Sequence, residues 1–464
     1  MTSPSERARE ERSYLAAWRA CRDPRMPRIL LIGFISGFPW VLIGSCLTLW
    51  LQEHGLSRSS IGLFGLVFTL YAVNALWAPL VDRVQLPWLG MLLGARKAWI
   101  VLMQTVILAA VLVMGTFNLN EQLWAVAVTA VVIAAASATQ DVAIDALRIE
   151  LIGEDEQRHM AAGAAMATSG WWAGYGLGGA FALYLADYFQ GRGLADSWQL
   201  VYWSLGAVVV LCSALLIFRV TEQDSSQRRR AQEKDYAAAR RVMPAGARLL
   251  GDAAAWLSAT YVMPVANFMK RHGLRIGLAL LLFVILFKVG EAFLGRMSLV
   301  FYREVGFDKT QIAHYSKLAG SFTICFFSIL CGYINANFGI FRGLLIGGIA
   351  MAATNLMFTV LALTGPLAWW FALTVVADQF TTAFATVAFV AFLSQLCDRR
   401  YTATQYAALA SLGNLSRTTL AAASGFVVDG LDGNWAVFFI LTAVMVAPGL
   451  LMLVAMRRRL APLA

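Results

Sequence analysis

The sequence predicts an all-α membrane protein of about twelve transmembrane helices arranged as two pseudo-symmetric six-helix bundles. Three observations carry that prediction. Of 464 residues, 59% are hydrophobic and the mean hydropathy is +0.66, whereas the apolar share of a soluble domain, glycine included, is about 45 to 50%. The apolar residues form continuous runs of spanning length, not the alternating segments of about ten residues that build a barrel. The basic residues alternate in density between those runs, and a polar, Arg-rich stretch divides the chain near its middle.

The first six runs are centred near Val41, Phe68, Val106, Val132, Ala173 and Val208, and the second six near Val284, Phe326, Ala350, Phe384, Leu412 and Met445. Gly37, Pro39 and Gly44 permit a bend in the first. Gly170, Gly174 and Gly178 in the fifth recur at i, i+4 and i+8, a spacing that lets a neighbouring helix approach closely. No strand precedes these glycines, so they are not a nucleotide loop. The expected organisation is a basic cytoplasmic segment (1–28), a bundle (29–218), a cytoplasmic linker (219–274), a second bundle (275–456) and a short tail (457–464). Within the linker, Leu257, Tyr261, Val265 and Phe268 share one helical face, which suits a helix lying on the membrane surface. Asp252, Pro264 and Asn267 weaken a spanning reading of the same stretch.

Charge placement sets the expected orientation. The net charge is +10, yet the cations sit where a membrane protein keeps them. Arg7, Arg9, Arg12, Arg19, Arg22, Arg25 and Arg28 precede the first run, Arg83, Arg96 and Lys97 follow the second, and Arg148 and Arg158 follow the fourth. The linker and tail add Arg228, Arg229, Arg230, Arg240, Arg241, Arg457, Arg458 and Arg459, while the opposite connections hold only Arg58, Arg192, Arg303 and Lys309. The positive-inside rule then makes both termini cytoplasmic and the number of spans even. This distribution implies lipid contact and excludes nucleic acid as a partner. The first run is of full spanning length, unlike a cleaved signal. Six scattered cysteines and four isolated histidines lack ligand spacing, so neither a metal nor a cofactor is expected. No clustered His, Asp or Cys constellation points to a membrane-embedded transferase, and no phosphate loop is present, so the chain reads as an ion-driven carrier and not as an enzyme.

Charges inside the runs name the candidate site. A carboxylate near mid-membrane costs about 2.5 to 3.5 kcal/mol on insertion scales, so each needs a partner, a wet cavity or a proton to carry. In the fourth run Asp141, Asp145 and Arg148 share one face at i, i+4 and i+7. Asp82, Arg83, Arg96, Lys97, Asp145 and Arg148 gather near the cytoplasmic end as gate candidates; a permanent ion pair anchoring the helix end is the alternative for Asp145 and Arg148. In the second half Lys288 lies about 20 Å into its span, Asp378 about 16 Å and Arg417 about 21 Å. Lys288 and Arg417 are expected to draw the carboxylates of an anionic small-molecule substrate, and Asp141, Glu291 or Asp378 to carry a proton. Gln140, Gln379, Trp40 and Tyr175 are further binding candidates. The alternative is that Lys288 with Glu291, and Asp378 with Arg417, are satisfied pairs that only hold helices together. Lys317 and His314 lie nearer the outer surface, where a snorkelling lysine is expected.

The turn Ala78-Pro79-Leu80-Val81-Asp82-Arg83 followed by Gly94-Ala95-Arg96-Lys97, with Gly332, Asn335, Gly339 and Arg342 at related offsets in the second half, resembles the signature of the major facilitator superfamily. Ala78 stands where that signature opens with Gly, and extra residues precede Gly94. Four strings narrow the resemblance: Trp77 to Arg83, Thr139-Gln140-Asp141-Val142-Ala143-Ile144-Asp145-Ala146-Leu147-Arg148, Phe287-Lys288-Val289-Gly290-Glu291-Ala292, and Thr404-Gln405-Tyr406-Ala407-Ala408-Leu409. Together they are similar to the AmpG-type permeases. The resemblance implies proton-driven import of anhydro-muropeptides (GlcNAc-anhydroMurNAc peptides) across a bacterial inner membrane for cell-wall recycling. It also implies siderophore importers as relatives and alternatives. A proton-coupled exporter is a further alternative: the fifth run resembles the antiporter signature, with Tyr175 in place of its Pro.

Overall fold

The structure, a computed structural model, describes residues 18–56, 64–153, 156–193, 197–222, 230, 233–238, 240, 248–307, 320–415 and 423–457. Arg417, His314 and Lys317 lie outside the described residues. The first six helices are α1 (Arg25–Leu51), α2 (Gly65–Leu76, continued as Ala78–Arg83), α3 (Ala95–Met114), α4 (Leu119–Glu150), α5 (Gln157–Gly191) and α6 (Ser197–Arg219). A linker helix, α7, runs through Arg248–Leu257, Ser258–Val262 and Met263–His272. The second six are α8 (Leu274–Phe287 and Val289–Val305), α9 (Gly320–Phe338), α10 (Ile340–Thr364), α11 (Ala368–Leu396), α12 (Thr402–Leu415 and Ser424–Gly430) and α13 (Trp435–Ala455).

Eight of these helices, α1, α3, α4, α6, α8, α10, α11 and α13, are individually long and apolar enough to cross a membrane. The other four expected spans are not among these eight. The α2 backbone alternates 3₁₀ and α turns up to Trp77, after which Pro79 starts a fresh helix. Glycines and polar residues dilute α5, α9 is described from Gly320 onward, and α12 is described in two pieces.

Small residues decide how the first bundle closes, because helices in lipid gain little from apolar burial and must pack by close approach. A Cβ on Gly37 would strike the Trp171 carbonyl, and one on Gly174 would strike the Phe34 carbonyl. These glycines therefore set the α1–α5 contact, as the i, i+4, i+8 spacing anticipates. Between the halves Ser169 donates to the Cys325 carbonyl at 3.1 Å, joining α5 to α9. The expected bend in α1 occurs as a π-turn over Val41–Cys46, just beyond Pro39. In α8 the helix breaks at Lys288 (φ −98°, ψ −2°) and restarts at Val289. The linker helix rests on the end of the second bundle, with Phe268 buried and the Pro264 carbonyl accepting from Gln405 at 2.9 Å. Its other predicted apolar residues, Leu257, Tyr261 and Val265, remain exposed.

Candidate functional site

The end that carries the linker is built by helix termini that borrow caps from elsewhere. The α3 N-terminus presents backbone N–H groups that its own turn cannot satisfy. Glu222, just past α6, accepts from the Arg96 and Lys97 amides at 2.9 and 3.1 Å, placing an anion at the positive end of the helix. Gly94 makes this possible: its φ is +95°, and a Cβ there would come within 2.5 Å of the Glu222 carboxylate.

The α12 N-terminus is capped across the halves. Asp82 of α2 accepts from the Ala403 and Thr404 amides at 3.2 and 2.6 Å and from the Thr404 hydroxyl at 2.5 Å. Arg96, wholly buried, holds the same carboxylate at 2.6 Å and Glu150 of α4 at 2.8 Å, and also donates to the Val81 carbonyl. Further ties cross nearby. Arg148 donates to Ser394 at 3.0 Å while its guanidinium lies over the Tyr406 ring. Arg399 donates to the Glu150 carbonyl at 3.1 Å and to the Ile152 carbonyl, and Ser411 donates to Asn74 at 2.9 Å. The two halves are thus fastened at the end that carries the linker. Lys97 takes no part across the halves, since its amine reaches the Ile217 carbonyl within the first bundle. Arg83 lies over the Tyr236 ring of the linker.

Arg148 touches the second half, but Asp145, one turn further in and bonded to Arg148 at 3.2 Å, keeps 35% of its side chain exposed. Asp141, another turn along the same face, is partly exposed and accepts from Ser36 of α1 at 2.7 Å. Beside it stands an aromatic wall. The Trp40 ring lies 4.5 Å from Phe68, 4.7 Å from Tyr71 and 5.4 Å from Trp171, and Trp171 lies 5.6 Å from Tyr175. Trp40 and Tyr175 are binding candidates in the sequence, whereas Phe68 and Tyr71 are not among the expected site residues. What joins them is the pairing of α1, α2 and α5, which no local spacing displays.

The second half supplies charge. Lys288, at the break in α8, donates to Glu291 at 2.5 Å and to Thr386 of α11 at 2.9 Å, with both members of the ion pair buried. Asp378 and Gln379, two turns along α11, are partly exposed, and Asp378 lies within electrostatic range of Glu291. Two expectations change here. Lys288 does not present a free ammonium, because the helix break turns it onto Glu291. Gln140 is wholly buried and donates to the Ile35 carbonyl at 3.1 Å, tying α4 to α1 instead of facing the space between the halves.

Two helical bundles fastened at one end around partly exposed polar and aromatic side chains constitute a multi-pass membrane transporter for a small-molecule substrate, not an enzyme. Residues 29–313 match the Major Facilitator Superfamily model. An Escherichia coli K12 protein named anhydromuropeptide permease is 29% identical over 443 residues, covering 95% of this chain and 82% of that one. A Rickettsia conorii relative that carries the name AmpG 4 is 30% identical over 432 residues, 93% and 96% of the two chains. The fold matches FucP in its outward conformation with a TM-score of 0.65 at 12% identity, over 94% and 99% of the chains. It also matches the proton:xylose symporter XylE with a TM-score of 0.60 at 14% identity, over 97% and 96%. The chain belongs to the Major Facilitator Superfamily and, within it, to the AmpG-type permeases.

Proposed function

We propose that this transporter imports anhydro-muropeptides from the periplasm into the cytoplasm together with protons, in a bacterial inner membrane with both termini cytoplasmic. The observation that carries the reading is the contrast between two walls: clustered aromatic rings on the first half, and paired charges on the second. An anhydro-muropeptide has the same two characters, since its sugar rings offer C–H faces for stacking on Trp and Tyr and its peptide ends in carboxylates. The name of the Escherichia coli relative supports the same substrate.

The Lys288–Glu291 pair supplies a means of coupling. Removing one partner from a buried pair leaves an uncompensated charge at a cost of about 3 to 5 kcal/mol, so Lys288 exchanges one anion for another more readily than it stands alone. A proton on Glu291 neutralises that carboxylate and frees the ammonium for a substrate carboxylate. Asp378 and Asp141, each partly exposed, are the remaining proton carriers. Asp82, Arg96 and Arg148 hold the cytoplasmic gate shut until the substrate draws the halves together above them, and residues 219–274 act as the cytoplasmic linker between the two bundles.

The test is uptake of labelled anhydro-muropeptide into vesicles under an imposed inward proton gradient, alongside a siderophore and with Glu291→Gln as the coupling variant. Gradient-dependent muropeptide accumulation is expected, with coupling lost in the variant. Uptake of the siderophore instead would reassign the substrate, and failure of both under the inward gradient would favour export.

A further inference from the structure

The connection between α2 and α3, residues 84–94, carries no ionisable side chain, although Arg83 directly precedes it and Arg96 closely follows it. Within it Leu89–Leu93 forms one short helical turn. Trp88, Met91 and Leu92, at i, i+3 and i+4, share one side of that turn. They are 77%, 81% and 81% exposed, and neighbouring apolar side chains this open mark a surface that meets something other than water.

The backbone is strained to hold them there. Trp88 has φ +69° and ψ −62°, and the Leu89 amide donates to the Pro87 carbonyl at 2.8 Å. This is the γ-turn with dihedrals near about +75° and about −65°, rare and strained for a residue with a Cβ. A conformation that suits glycine carries the largest side chain instead, and turns its ring away from the protein.

Span length fixes the level of the turn. α3 is apolar enough to cross a membrane and has 20 residues, which makes it about 30 Å long, the thickness of the hydrocarbon core. Its first residues therefore lie at the boundary between core and headgroups. Trp99, near the start of α3, donates from its indole to the Val84 carbonyl at 2.9 Å, so the chain leaving α2 runs beside the start of α3 and not beyond it. The Gly94 amide then closes the turn onto the Gly90 carbonyl at 3.2 Å, directly before α3 begins. An uncharged turn bearing Trp is thus held at the depth where Trp concentrates in membrane proteins.

Size separates a lipid partner from a protein. An aromatic side chain buries about 150 to 250 Å², and Met91 and Leu92 offer less, so the three fall short of the roughly 800 Å² per partner that a stable protein–protein interface covers. A lipid boundary sets no such minimum. We propose that residues 84–94 form an interfacial anchor, with Trp88, Met91 and Leu92 seated among the headgroups and upper acyl chains of the leaflet at the fastened end. Asp82, just before the anchor, and Arg96, just after it, pair with each other at 2.6 Å, so the anchor ties the fastened end of the first half to the lipid. The inference does not depend on the substrate, the direction of transport or proton coupling.

The experiment places a nitroxide at Met91→Cys in an otherwise cysteine-free full chain, held one copy per nanodisc of phosphatidylcholine and phosphatidylglycerol, and compares its collisions with oxygen and with a water-soluble nickel chelate. Val210→Cys, at an exposed position within α6, is the lipid reference, and Arg400→Cys, exposed at the fastened end, is the aqueous one. The Met91 label is expected to favour oxygen as the lipid reference does. Adding Trp88→Gly, which suits the turn but removes the ring, should shift the label roughly tenfold toward water, about the bias that burying one large apolar side chain supplies. Leu92→Asp should shift it in the same direction, and a melting curve confirms that each variant is folded. Nickel access at Met91 equal to that at Arg400, or no response to either added substitution, would overturn the proposal. Protection that appears only when two copies share a nanodisc would overturn it too, and would make the turn an interface between copies. None of these readings uses uptake, so the anchor and the transport reading can fail independently.

Discussion

Asp82 is the sharpest place to test whether the fastened end is a gate. In the closed arrangement its carboxylate accepts three bonds from the start of α12 and one from Arg96, and it is 7% exposed. Replacing it by Asn keeps the shape and removes the charge. Hydrogen bonds to a charged group contribute about 1.5 to 3 kcal/mol against about 0.5 to 1.5 for neutral ones. Weakening two or three of them therefore costs the closed state about 2 to 3 kcal/mol. The open state lacks these contacts and is unaffected, so the open-to-closed ratio rises roughly 30- to 150-fold. Spin labels at Val84 and Arg400, both exposed and on opposite halves, would report this as a longer distance population by electron–electron resonance in a cysteine-free background. A distance distribution unchanged by Asp82→Asn would refute the gate assignment and leave the cluster as a static anchor.

Three further outcomes are expected. Lys288→Met should lower the melting temperature sharply by stranding a buried carboxylate, whereas Lys288→Met with Glu291→Met should recover much of the loss; no recovery would mean that the two do not form one unit. Trp171→Ala should raise KM for muropeptide uptake more than it lowers the maximal rate, because it removes stacking surface and leaves the charged wall intact; a pure loss of rate would place Trp171 in the conformational change instead. At the start of α1, Arg25 pairs with Asp23 at 2.8 Å and with Glu156 at 2.7 Å and holds both carboxyls below the ordinary carboxylate range. Their contribution to stability is therefore present above the unfolded-chain value of about 4 and is lost as pH falls through the lowered native values. Melting temperature should fall between about pH 5 and about pH 3, with a shallower slope in Asp23→Asn.

The halves, the helical class and the glycine seam were legible because each leaves a one-dimensional trace: apolar length, cation density and small-residue spacing. Asp82, Arg96 and Arg148 were legible as a group for a similar reason, since charge at a span end is conspicuous in an apolar chain. Their partners were not. Asp82 bonds largely to backbone amides of Ala403 and Thr404, which every residue but proline carries, so no side-chain type could have advertised the contact. Gln140 shows the converse: a polar residue in a span invites a functional reading, yet here its amide completes a helix–helix contact. The aromatic wall was missed as a unit because rings on α1, α2 and α5 meet only after those helices pack, and nothing in their spacing predicts the crossing.

Under the proposed function, the arrangement of charge separates substrate loading from movement of one half against the other. Asp82 and Arg148 of the first half meet amides and hydroxyls of the second half, whereas Lys288, Glu291 and Thr386 satisfy one another within the second half alone. Loading the central site therefore need not break a tie between the halves; it exchanges partners inside one of them. Opening of the proposed gate, by contrast, requires the α12 N-terminus to lose its borrowed cap, along with the Arg148–Ser394, Arg399–Glu150 and Ser411–Asn74 ties. Those amides are satisfied by water once exposed, so opening costs a modest difference between two sets of hydrogen bonds and not their full strength. A barrier of that kind lies within reach of the binding energy of a ligand that bridges the aromatic and charged walls. It follows that a ligand contacting one wall alone should bind without opening the gate, and a sugar fragment without its peptide should leave the Val84–Arg400 distance distribution unchanged.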